Sequence, residues 1–206
     1  MTPLFSTVKW AVCLMGVFAT LPAGAAPAAP PPLVIRHASV FMGGEFVPSE
    51  AVVITDGRIQ RMVPPGQEIQ VPTGAIELEA KGRYLLPGFI DAHAHIGHVL
   101  PAAGVKVEEI LPLYLATGIT TLRGTGDTVD AQLKVQTFIE ANPARSPRLV
   151  MASPLFDKSP PYHAGVSLAI TDPAQVPAFV ASMAEAGVWT FKIYVLIELS
   201  ICSAII

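Results

Sequence analysis

The sequence predicts a mixed α/β fold in which a small all-β module precedes a parallel sheet wound with helices. Two observations carry this expectation: residues 33–84 break into short apolar runs separated by glycine turns, and residues 85–195 alternate strand-length with helix-length apolar segments. Composition narrows the class. Charged residues are 14% of the chain and hydrophobic ones 51%, which excludes a charged disordered tail and a coiled coil. The net charge of -3 and the lack of any Lys/Arg run give no attraction for phosphate backbones, so nucleic acid is not an expected partner.

Residues 1–25 read as a secretory signal. Lys9 closes a short polar start, Trp10 to Leu21 is apolar, and Ala23-Gly24-Ala25 supplies small residues before a cut after Ala25. The apolar run stops at Pro22, short of the about 20 residues that span a bilayer. The expectation is an exported protein, periplasmic or extracellular, with no membrane span after cleavage. Cleavage also removes Cys13, and Cys202 alone cannot form an internal disulfide. Residues 26–32 are an Ala/Pro tether.

The β module occupies residues 33–84 and is expected as a small sandwich. Its runs are Leu33 to Phe41, Ala51 to Thr55 and Ile59 to Val63, separated by Gly43-Gly44 and by Asp56-Gly57, a strong hairpin signal. Ile69 to Val71 and Ala75 to Leu78 are further strand candidates. After Arg83 the rhythm changes. Tyr84 to Ile90, Thr120 to Arg123, Arg148 to Ala152 and Val188 to Val195 read as strands. Val107 to Thr117, Thr128 to Glu140 and Pro173 to Ala186 read as helices, the last capped by Asp172. Gly118 and Gly187 stand just past two helices, where a left-handed residue ends a helix well. Four parallel strands suit either a doubly wound sheet or half of a (β/α)8 TIM-type barrel. The absence of a Gly-rich phosphate fingerprint after the first strand favours the barrel, truncated after about four strands. Met42, Met62, Met151 and Met183 read as core filler.

Chemistry concentrates at Pro87-Gly88-Phe89-Ile90-Asp91-Ala92-His93-Ala94-His95. Residues two apart on a strand share a face, so His93 and His95 point one way with Asp91 behind them, and Ala92 and Ala94 point the other. Two imidazoles about 7 Å apart along a strand can converge on one ion.

This stretch resembles the amidohydrolase superfamily, whose members carry a His-x-His pair at the end of the first barrel strand. Gly82 to Asp91 looks like that family's passage from β module to barrel, and Ala51 to Ile59 like its preceding hairpin. Gly118-Ile119-Thr120-Thr121-Leu122-Arg123 is similar to its second strand, and Thr190-Phe191-Lys192-Ile193-Tyr194 to its fourth. The resemblance covers residues 33–195 and is nearest to the imidazolonepropionase-like and prolidase-like branch. Gly124-Thr125-Gly126-Asp127 departs from it, because relatives place an acid directly after the arginine.

The resemblance implies a metal-dependent hydrolase of carbon-nitrogen bonds in a small amide, cyclic amide or dipeptide, with one or two divalent ions, zinc in the expected case. It implies that His93 and His95 hold the first ion and that Lys192, N-carboxylated, bridges to a second. An unpaired ammonium flanked by Phe191 and Ile193 is costly to bury, and carboxylation would turn it into an anion. The plainer reading of Lys192 is a side chain that snorkels from a strand end. His98 and His163, on loops after the first and third strands, are candidates for substrate contact. Arg123 and Asp127 are expected to form a structural ion pair without catalytic duty.

A complete barrel takes about 250 residues, so residues 85–195 are expected to form its N-terminal half, with 196–206 an aberrant tail. In the family the later metal ligands and the general-base Asp lie in the other half. The expectation is therefore that no catalytic residue lies in this chain and that it is incomplete, poorly soluble and inactive alone. The alternative is a non-catalytic fragment or a periplasmic metal-binding module. A homo-oligomer is left open for a full-length protein.

Overall fold

The computed structural model describes residues 30–195 and 197–205. The signal segment and most of the Ala/Pro tether lie outside the described residues. The chain divides into two compact units, one ending at Leu85 and one beginning at Leu86.

In the first unit the expected run Leu33 to Phe41 is two strands, β1 (Leu33–Arg36) and β2 (Ser39–Met42). His37 lies between them with φ 55, a left-handed conformation that sends the two strands into different sheets. β2 turns through Gly43 and Gly44, both at positive φ, into antiparallel β3 (Glu45–Pro48). β4 (Ala51–Thr55) and β5 (Arg58–Val63) form the hairpin that Asp56-Gly57 announced, with φ of 52 and 68 at the turn. β6 (Ile76–Glu79) and β7 (Tyr84–Leu85) follow. Ile69 to Val71 forms no strand; it is bounded by Pro72, which lacks an N–H, and Ile69 packs against the core instead.

The strands make two sheets, ordered β5-β4-β1-β6 and β3-β2-β7. β1 is the central element because neighbouring residues on opposite faces are both buried. Val34 packs with Ala51 and Val63, while Ile35 packs with Ala38, Val52 and Ala80. Met42 is not core filler. It is half exposed at the turn end of β2.

The left-handed His37 ring is held between two carboxylates, Glu79 at 2.9 Å from Nδ1 and Glu50 at 3.2 Å from Nε2. The hydrogen bond with Glu79, then that with Glu50, raises the imidazole pKa above 6.5. Glu79 is lowered, chiefly by His37, and Glu50 is lowered chiefly by the Gly66 N–H and then by His37. A raised histidine stabilises the fold below its unfolded pKa and loses that contribution as pH rises through the folded value. The lowered carboxylates contribute above 4.5 and lose it as pH falls. The triad's contribution is therefore greatest where both kinds of group are charged, between about pH 4.5 and 6.5.

The second unit opens with β8 (Phe89–Ala94). The expected strand Tyr84 to Ile90 is thus divided: β7 pairs with β2, and the parallel sheet begins after Pro87-Gly88. Gly88 is required there, since a Cβ would lie 2.0 Å from Thr120 Oγ1. Then come α1 (Val99–Ala102), α2 (Val107–Ala116), β9 (Ile119–Gly124), α3 (Val129–Ala141), β10 (Arg148–Asp157), β11 (Ser167–Ala169), α4 (Val176–Glu185), β12 (Thr190–Ile193) and α5 (Leu199–Ile205). The expected cap forms, Asp172 accepting from Ala174 N ahead of a 3₁₀ turn that leads into α4, while Thr128, read as the first helical residue, caps α3 by accepting from Ala131 N. α5 falls in the stretch read as an aberrant tail, and its Ile201 is buried against Phe156, Ile170 and Val176.

β8, β9, β10 and β12 pair in parallel in chain order, with β11 also on β10. Each new strand of the β8-β9-β10-β12 path adds to the same edge with no reversal, the winding of a barrel rather than of a doubly wound sheet. Pairing of β10 with β12 shifts register between Ala152 and Leu155. Pro154 explains the shift, because it cannot donate to the ladder. The core lies between sheet and helices, around Leu111, Leu122, Val135, Ile139 and Leu149.

Gln132 is the one polar side chain that α3 turns fully inward. Its Nε2 donates to Asp127 O at 3.2 Å and Ala152 O at 2.7 Å, and its Oε1 accepts from Ala152 N at 3.2 Å, which ties α3, the loop after β9 and β10 together.

Two outcomes follow. A pH series of thermal melts should show the first unit losing stability above pH 6.5, and His37→Asn, which tolerates the left-handed backbone, should flatten that alkaline limb. Gln132→Leu leaves the Ala152 backbone groups buried without partners, so it should destabilise the second unit by about 1–3 kcal/mol in denaturant titration.

Candidate functional site

The carboxyl end of the parallel sheet gathers the groups that the sequence singled out. β8 ends at Ala94, whose side chain is buried in the core, while His93 is exposed on the other face and His95 follows just past the strand. Their rings lie 5.0 Å apart between centroids at 53°. Asp91 does not back them; its Oδ1 turns to accept from the His93 N–H at 3.0 Å.

Lys192 comes from β12, which the β8-β9-β10-β12 path sets three strands away from β8. Three steps of about 4.8 Å make roughly 14 Å on a flat sheet, beyond one lysine's reach. Lys192 Nζ nevertheless lies 3.5 Å from His93 Nε2, so the sheet is curled. The strand position of Lys192 is fixed by Ser153, whose Oγ accepts from the Lys192 backbone N–H at 2.8 Å where Pro154 disturbs the ladder. Ser153 is fully buried, and nothing in the sequence marked it.

A cavity of about 350 Å³ brings together His93, His95, His98, His163, Lys192 and Tyr194 over an apolar floor of Leu155 and Val166. Four of the five histidines in the chain thus face one space. His163, from the loop after β10, lies 3.1 Å from the Tyr194 hydroxyl through Nε2. A larger cavity of about 530 Å³ among the helices, around Pro101, Val107, Thr128 and Phe138, holds no histidine, so size does not select the site.

The expected Arg123–Asp127 ion pair does not form. Arg123 Nε donates to Ala92 O at 2.9 Å, tying β9 to β8. Asp127 is wholly buried and pairs with His98 Nδ1, and its other oxygen accepts from Gly97 N at 3.0 Å. The reason is local. Arg123 still belongs to β9, whereas Gly126 at φ 76 turns the chain before Asp127. His98, read as a loop histidine, is half-buried by this pairing.

The donor chemistry suits a divalent cation in that His95 Nδ1 is buried with no hydrogen-bond partner. One donor atom each of His95, His98 and Asp127 lies within 4.8 Å of the others, but both Asp127 oxygens are already engaged by Gly97 and His98. Burial lowers the His95 pKa below 6.5, and His93, His98 and Lys192 push the same way against the opposing charge of Asp127. A neutral imidazole is the form that ligates metal.

No protein-family profile matches the chain. Imidazolonepropionase of Mycolicibacterium smegmatis is 41% identical over 90 residues, which are 41% of this chain and 21% of that protein. Among solved structures, a protein from Bifidobacterium longum assigned as a prolidase superposes with TM-score 0.66 at 26% identity, covering 85% of this chain and 47% of its own. Molinate hydrolase superposes with TM-score 0.67 at 19% identity, covering 85% of this chain and 50% of its own, a likeness of fold. The chain therefore spans about half the length of these structural neighbours. The His-x-His strand end, the consecutive parallel winding and these likenesses together support membership of the amidohydrolase superfamily, with coverage of the N-terminal part of its members only.

Proposed function

We propose that this chain is the N-terminal part of a metal-dependent hydrolase that cleaves a carbon-nitrogen bond in a small amide, cyclic amide or dipeptide. The observation that carries the reading is the meeting of His93, His95 and Lys192 at one cavity from opposite edges of the β8-β9-β10-β12 path. The imidazolonepropionase and prolidase likenesses support the cyclic amide and dipeptide classes.

His93 and His95 would hold a divalent ion, zinc in the expected case, with Lys192 beside them. Such an ion, when bound, lowers the pKa of water towards about 7 and polarises a carbonyl. Lys192 as an ammonium would repel it. N-carboxylation, in which the deprotonated Nζ adds to carbon dioxide, would give an anionic oxygen donor at the same place. Burial lowers the His95 pKa, which favours the neutral ring that ligates metal. His98 lies beside His95 where a substrate would contact it, and the His163–Tyr194 pair walls the same cavity through an imidazole and a hydroxyl.

We further propose export, with cleavage after Ala25. The twelve-residue apolar run supports it. Among the described residues no helix is long and apolar enough to cross a membrane.

The full-length protein of which this chain is the N-terminal part, isolated from its host, should contain divalent metal and hydrolyse an Xaa-Pro dipeptide or a cyclic amide, with its N-terminus at Ala26. His93→Ala and Lys192→Ala should each lower bound metal by elemental analysis. Each should also cut turnover by about 10²-fold or more, the scale of losing one fixed electrostatic group. A metal-replete protein silent on both substrate classes would refute the hydrolase reading. In the metal-free protein, an imidazole NMR titration should place the His95 midpoint below 6.5 and that of His37 above it.

A further inference from the structure

We propose that Asp127 is a positioning residue: it holds His98 as the Nδ1–H tautomer, so that His98 Nε2 faces the cavity as an acceptor for an N–H of the bound substrate, on an amide or an ammonium group. The substrate contact rests on the hydrolase reading, whereas the tautomer does not.

Asp127 lies on a loop, yet its side chain is wholly removed from water. A buried carboxylate is costly unless several donors reach it. Gly97 N donates to one oxygen at 3.0 Å, and His98 Nδ1 meets the other. The backbone is held as well, because Gln132 Nε2 donates to Asp127 O at 3.2 Å. The approach is so close that a Cβ on Gly97 would fall 2.9 Å from Asp127 Cγ, so this position requires glycine.

Spacing alone would allow Asp127 to join His95 and His98 around an ion. The hydrogen bonds decide otherwise. Both carboxylate oxygens already accept, and an oxygen that accepts from His98 requires the proton on Nδ1. With Nδ1 turned to buried Asp127, the ring edge that lines the cavity carries Nε2 and its lone pair. The His95 ring, edge-on at 5.3 Å and 80°, fixes the plane of His98. A lone pair fixed in this way accepts from an N–H of an amide or ammonium group and would be repelled by a carboxylate oxygen.

The test uses the full chain, labelled with ¹⁵N, and reads the tautomer of His98 from long-range ¹⁵N–¹H correlations. The wild type should show Nδ1–H. In Asp127→Asn the new amide can donate to Nδ1, and Nε2–H should become the major form. In the metal-loaded enzyme kcat/KM should fall by about 10–100-fold, the usual loss when a residue that orients a ligand is removed. The double variant Asp127→Asn/His98→Asn should be no worse than His98→Asn alone. An Nε2–H or averaging ring in the wild type, an unchanged tautomer in Asp127→Asn, or additive losses would overturn the proposal. If Asp127→Asn does not fold, the wild-type tautomer decides alone. A full-length, metal-loaded protein with the Nδ1–H ring but no turnover would sink the hydrolase reading and leave the pairing standing.

Discussion

Curvature of the parallel sheet is the constraint on which the rest depends. A sheet of four in-order parallel strands twists by roughly 20–25° per step, and covering its convex face with α2 and α3 favours continued curling. Only a curled sheet lets a residue on β12 reach one on β8. Curvature in turn demands small residues where backbone and side chains crowd. Gly88 admits the Thr120 side chain, and Gly124 admits Gln132, whose Oε1 would lie 2.6 Å from an added Cβ. These glycines look incidental in the sequence, but each allows a neighbouring element to approach.

The second determinant is electrostatic. The cavity collects four imidazoles and an amine, and Asp127 is buried behind them, paired with His98. Without that carboxylate the rings would face uncompensated repulsion whenever protonated. With it, one ring is tied down, while burial lowers the pKa of the next. A pocket lined by imidazoles, one with a buried and unpartnered Nδ1, is a physical arrangement suited to a cation. It differs from the exposed ring of carboxylates on a solvated surface.

Much of this was legible in the sequence, and the failures have local causes. The hairpin at Asp56-Gly57, the helix cap at Asp172, and the glycines after α2 and α4 were readable because short-range geometry alone dictates them. The run from Leu33 to Phe41 was read as one strand because a left-handed histidine carries no signal of its own; the Glu50 and Glu79 carboxylates that hold it come from elsewhere in the chain. The strand from Tyr84 to Ile90 failed for a related reason. Pro87-Gly88 marks a boundary between two ladders, and an apolar run reads the same on both sides of it. His93, His95 and Lys192 could be named from the sequence, but the partner of Asp127 could not, since its pairing depends on a loop turning at Gly126.

β10 shows how one local irregularity serves the site at long range. It is the longest strand, and it pairs with β9 through Arg148 to Met151, then with β11 and β12 near Leu155 and Phe156. A regular strand would present an N–H at position 154 and keep β12 in simple register. Proline removes that donor, and the chain compensates with the hydroxyl of the preceding Ser153, which takes the Lys192 N–H while its own proton goes to Pro154 O at 2.8 Å. The hydroxyl donates once and accepts once, so the irregular step leaves neither group unsatisfied. The Lys192 N–H is therefore held by a side chain, although Lys192 keeps Leu155 as its register partner. That lets β12 set its amine towards His93 at a place where uniform pairing would have fixed both its height and its face.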